Sequence, residues 1–97
     1  MTLTIELYAC NESGTAVACT VPDASLPAGA ALSARLARAL ELIATRLPRV
    51  IEAGDIVVAD AVRYFVTARG FQAVPADYRP TLDDLLAGFP NVQADAR

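Results

Sequence analysis

The chain reads as an α+β domain in which an N-terminal β-hairpin packs on two to three helices, with a short C-terminal helix. Three observations carry that expectation. Residues 3–9 alternate apolar and polar side chains, residues 30–47 form an Ala-, Leu- and Arg-rich run without Gly or Pro, and residues 81–89 are Leu-rich between helix start and stop signals.

Ninety-seven residues correspond to one small domain, so residues 1–97 are taken as a single unit with a mobile tail of about seven residues. The composition is 55% hydrophobic and 20% charged, enough apolar surface to offset the ordering entropy that keeps polar chains disordered. There is no His, which removes the usual general base near neutral pH and the commonest metal ligand. All eight basic residues are Arg, so Schiff-base chemistry and the phosphate loop ending in Lys are excluded as well. No paired catalytic groups stand out, and no enzyme, cofactor or metal is expected. The net charge of −3 and isoelectric point near 4.7 argue against direct nucleic-acid binding, which needs a basic footprint. No secretory signal and no apolar run of spanning length is visible, so the sequence reads as cytoplasmic with no membrane partner.

After the first strand, Asn11, Glu12, Ser13 and Gly14 supply turn chemistry and residues 15–21 return as a second strand. Two registers are open. A four-residue loop places Cys19 opposite Glu6, and a five-residue loop places it opposite Leu7. Either keeps Cys10 and Cys19 several residues apart along the ladder, beyond disulfide reach, so both are expected as reduced, structural thiols.

In the helix over residues 30–47, Leu32, Leu36, Leu40, Ile43 and Leu47 fall on one face. Arg35, Arg38, Arg46 and, if the helix resumes past Pro48, Arg49 fall on the other, making a candidate anion-binding stripe. The competing reading is the solvated side of an amphipathic helix. Residues 56–69 are ambiguous. Their β-branched and aromatic content favours strand, whereas Asp60, Arg63 and Thr67 recur at helical spacing and Gly70 resembles a helix stop. The helix is preferred here, with a hairpin turning at Arg69 and Gly70 as the alternative.

Asp77, Tyr78 and Arg79 sit in a loop and are candidate recognition residues. Thr81 is a good N-cap, Asp83 and Asp84 favour the positive helix end, and Gly88 with Pro90 ends the element. Leu82, Leu85, Leu86 and Phe89 have the spacing of a short helix lying in a groove. Residues 79–91 (Arg-Pro-Thr-Leu-Asp-Asp-Leu-Leu-Ala-Gly-Phe-Pro-Asn) resemble the C-terminal toxin-binding segment of MazE-type antitoxins. That resemblance covers about an eighth of the chain, and residues 1–47 depart from the family's basic, DNA-binding half. It implies a partner-binding stretch through Leu82, Asp83, Asp84, Leu85, Leu86 and Phe89.

Two functions are therefore expected. The first is a small, acidic, non-catalytic inhibitor of antitoxin, immunity or anti-defence type that blocks a protein partner, a toxin or defence effector such as a basic nuclease. The alternative is a structural or assembly subunit that acts as a homo-oligomer, the simplest form a homodimer.

Overall fold

The computed structural model describes residues 1–9 and 15–90, and its framework is a five-stranded antiparallel sheet. Strands β1 (Thr2–Leu7), β2 (Thr15–Thr20), β3 (Ile56–Ala59), β4 (Val62–Thr67) and β5 (Gly70–Val74) lie in the order β2-β1-β3-β4-β5. Helix α1 (Leu32–Ile43) connects β2 to β3, and a short helix α2 (Leu82–Ala87) follows β5. The expectation of a hairpin on two to three helices is thus corrected: the described residues are mostly sheet, with one full helix and one of six residues among them.

The correction comes from residues 56–69, which form β3 and β4 rather than a helix. Asp60 and Ala61 make the turn between them in the left-handed region, at φ 48° and 72°. Such a turn matches the twist of the flanking strands but normally advertises itself with Gly or Asn-Gly, both absent here. Arg63 and Thr67 are four apart, a spacing that keeps them on one face of a strand as well as of a helix. The β-branched and aromatic content therefore decided the outcome. The hairpin held as the alternative is close to what forms, with Ala68 and Arg69 as the turn residues and Thr67 paired with Gly70.

The β1–β2 hairpin is present in neither expected register. Leu7 pairs with Thr15 and Leu3 with Cys19, because the ladder stops before Tyr8 and Ala9. Those two residues turn their N–H groups instead onto the Asp55 carboxylate, each at 2.9 Å. Cys19 is a buried free thiol. Cys10, the rest of the expected turn over residues 10–14 and the tail over residues 91–97 lie outside the described residues.

One sheet face is covered by α1. Leu3, Ile5 and Leu7 of β1 and Val57 and Ala59 of β3 pack with Leu36, Ala39 and Ile43 in the main core. The helix is shorter than expected. After Ile43 it tightens into a single 3-10 turn (Ala44–Arg46), and Leu47 is extended because the following Pro48 disfavours helical geometry before it. Leu32, expected on the buried face, is 46% exposed. On the opposite sheet face Ile56, Phe65 and Val74 form a smaller core, covered by Tyr8 and by Tyr78 from the segment after β5.

Candidate functional site

Two buried polar clusters hold the loops that carry the candidate residues. In the first, Asp55 is fully buried and accepts five hydrogen bonds. Arg49 donates two at 2.8 Å, one to each carboxylate oxygen, and the N–H groups of Tyr8, Ala9 and Glu52 donate the rest at 2.9 Å. Burial alone would raise the Asp55 pKa. The Arg49 guanidinium and the three backbone donors outweigh it and hold the carboxyl below its ordinary range. Arg49 also donates to the Val50 and Ala9 carbonyls. It is therefore a structural lock for the loop between α1 and β3 and lies off the helix altogether.

In the second cluster Arg63 reaches over β3 to Glu6 with two hydrogen bonds of 2.8 and 3.1 Å, and donates to the Tyr78 carbonyl at 2.8 Å. Tyr8 donates its hydroxyl to Glu6 at 3.0 Å. Partial burial acts to raise the Glu6 pKa, but the Arg63 and Tyr8 bonds bring it below the usual value. The cluster fixes the backbone at Tyr78, whose ring meets Phe65 edge-on at 6.1 Å.

From Tyr78 the chain enters α2. Six residues are too few for a helix to persist by its own propensity, so its ends must be held. Thr81 accepts from the Asp84 N–H at 3.1 Å, and the Asp84 carboxylate reaches back to the Thr81 N–H, a reciprocal capping box. Gly88 closes the helix at φ 80°. The Tyr78 hydroxyl donates to Asp84, and Asp84 is 3% exposed. Burial, then the Asp84 carboxylate, push the phenol of Tyr78 well above its ordinary range.

The candidate residues consequently divide. Tyr78, Asp84 and Leu85 face inward: Leu85 rests over Gly54, where an added Cβ would come within 2.6 Å of its Cδ2. Leu82, Leu86 and Phe89 face outward and are 59%, 78% and 58% exposed. Asp77, Arg79 and Asp83 are exposed beside them, with Arg79 donating to the Tyr78 carbonyl at 2.9 Å. An open cavity of about 450 Å³ lies between Phe89 and the β4–β5 turn, lined also by Thr67, Arg69 and Gln72. The capping spacing Thr81-x-x-Asp84 was the signal that Asp84 belongs to the helix rather than to a partner.

The arginine stripe does not assemble into one cluster. Arg35 donates to the Pro27 carbonyl and lies 3.8 Å from Asp23, Arg38 pairs with Glu41 at 3.0 Å, and Arg49 is held by Asp55. Arg46 is exposed in the 3-10 turn. Among the described residues there is no group of three or more His, Cys, Asp or Glu that could hold a metal ion. No helix of the described residues is long and apolar enough to cross a membrane. Comparison with protein-family models, curated proteins and solved structures returns no match.

Proposed function

We propose that this protein is a small, non-catalytic protein-binding inhibitor that presents α2 to its partner. The supporting observation is the row Leu82, Leu86 and Phe89, three large apolar side chains left in water on α2 and just past its Gly88 cap, a segment whose geometry is fixed from beneath. Leu82 and Leu86, one helical turn apart, with Phe89 just beyond the cap, suit an apolar groove, and burying them there removes surface that this chain itself leaves exposed. Asp83 and Asp77 flank the row and, with the net charge of −3, favour a basic surface around that groove. A basic nuclease of the toxin or defence-effector class has that chemistry, and the likeness of residues 79–91 to antitoxin tails points the same way.

The test separates apolar anchor from electrostatic rim. Tagged protein captures its partner from a lysate of the source cell, and Leu86→Ser or Leu82→Ser abolishes a stoichiometric capture. Asp83→Asn weakens it and flattens its salt dependence. Asp84 is left intact, because its loss would unfold α2. Capture that is indifferent to all three substitutions refutes the reading.

A further inference from the structure

Strand β2 forms one edge of the sheet. Met1 and Val21 exchange both backbone hydrogen bonds, at 2.6 and 2.8 Å. Antiparallel ladders alternate bonded and non-bonded pairs, so Leu3–Cys19, Ile5–Val17 and Leu7–Thr15 are the bonded pairs of this hairpin. Ala16, Ala18 and Thr20 therefore point their N–H and C=O groups away from β1. All three are exposed, and no group of the described residues pairs with them.

Natural sheets guard such a row with charge, Pro or a bulge. β2 is Thr-Ala-Val-Ala-Cys-Thr, without a charge or a Pro. Each edge has a Pro just past its ladder, Pro22 after Val21 and Pro75 after Val74, and the β5 edge differs in carrying Arg69 at its turn.

We propose that β2 pairs antiparallel with β2 of a second copy of this chain, about a two-fold axis at Ala18, to give a continuous ten-stranded sheet. In that register Ala18 faces its own counterpart and Ala16 faces Thr20 on both sides of the axis. Three bonded pairs supply six hydrogen bonds, and only small, neutral side chains meet, so two acidic chains approach without like charges in the seam. The row is self-complementary, which is what a two-fold contact demands and what an unrelated partner would not require. Leu42 adds apolar area: it is 40% exposed and shares a surface recess with Thr20 and Val21, opposite which the second copy's Ala16 and Thr15 would arrive. The antiparallel arrangement also puts the two Arg46 side chains, which border the same recess, at opposite ends of the seam. Both α2 rows stay free, so the dimer would offer two copies of the partner-binding helix.

Sedimentation equilibrium over a concentration series tests this, with circular dichroism to verify folding. Wild-type protein is expected to dimerise. Ala18→Pro removes two of the six hydrogen bonds without touching the β1–β2 ladder and should raise the dimer dissociation constant about tenfold or more. A register test follows. The double variant A16E/T20K puts opposite charges across the seam and should stay dimeric, while A16K/T20K puts like charges there and should be monomeric. A wild-type protein that is monomeric up to its solubility limit overturns the proposal. So does a dimer indifferent to Ala18→Pro, or one lost with Leu86→Ser instead.

Discussion

Replacing Asp55 by Ala should be the most damaging single polar substitution in this chain, and its cost follows from what the carboxylate holds. The side chain is fully buried and joins Arg49 to the N–H groups of Tyr8, Ala9 and Glu52. Breaking a buried ion pair from one side costs about 3–5 kcal/mol. The lower end applies, since Arg49 is 20% exposed and keeps water and two carbonyls as partners. The Ala9 N–H is left buried without an acceptor, which adds about 1 kcal/mol or more. The total of about 4 kcal/mol is a large share of the roughly 5–15 kcal/mol that stabilises a domain of this size. Urea denaturation at pH 7 measures the loss directly, and the thermal midpoint should fall by about 16–32 °C. Acid titration supplies the second readout. The folded pKa of Asp55 lies below its unfolded value, so its contribution is complete above about pH 4 and disappears as pH falls through the folded pKa. Wild-type stability should drop below about pH 4, and the Asp55→Ala profile should be flatter there. A loss under about 1.5 kcal/mol, or an unchanged acid profile, would show that Asp55 does not organise these loops.

Three further outcomes are expected. Ala61→Gly should stabilise the protein by about 1 kcal/mol in the same urea assay, because Ala61 sits at φ 72°, where a Cβ is strained. Tyr78→Phe should cost about 1–3 kcal/mol, by taking the hydroxyl donor from buried Asp84, and should speed amide hydrogen exchange across α2. Leu86→Ser should leave the unfolding free energy in urea within about 0.5 kcal/mol of wild type, since Leu86 is 78% exposed. That neutrality is what allows a binding defect in this variant to be read as loss of contact.

Residues whose roles depend on near neighbours were legible in the sequence. The alternation in β1, the apolar stripe of α1 and the stop signals around α2 each appear within a dozen positions. The β3–β4 turn was not, because Asp60 and Ala61 adopt left-handed geometry without the glycine that usually marks it. The hairpin register was hidden for a different reason: it is set by Asp55, more than forty positions away, which takes Tyr8 and Ala9 out of the ladder. At the candidate site, apolar spacing grouped Leu82, Leu85, Leu86 and Phe89 together. Leu85 alone turns inward, and Asp84 joins it because Tyr78 and Thr81 satisfy its carboxylate. Periodicity reports which side of a helix is greasy, and a satisfied buried acid is invisible to it.

Six residues cannot sustain a helical turn in water, so the outward face of α2 is a shape borrowed from the domain beneath it. A peptide cut from residues 81–90 would carry the same letters without the surface. Recognition through this row would then work as a certificate of folding: a molecule whose sheet has opened cannot present it, and a partner held by the intact protein would be set free when that protein is unfolded or degraded.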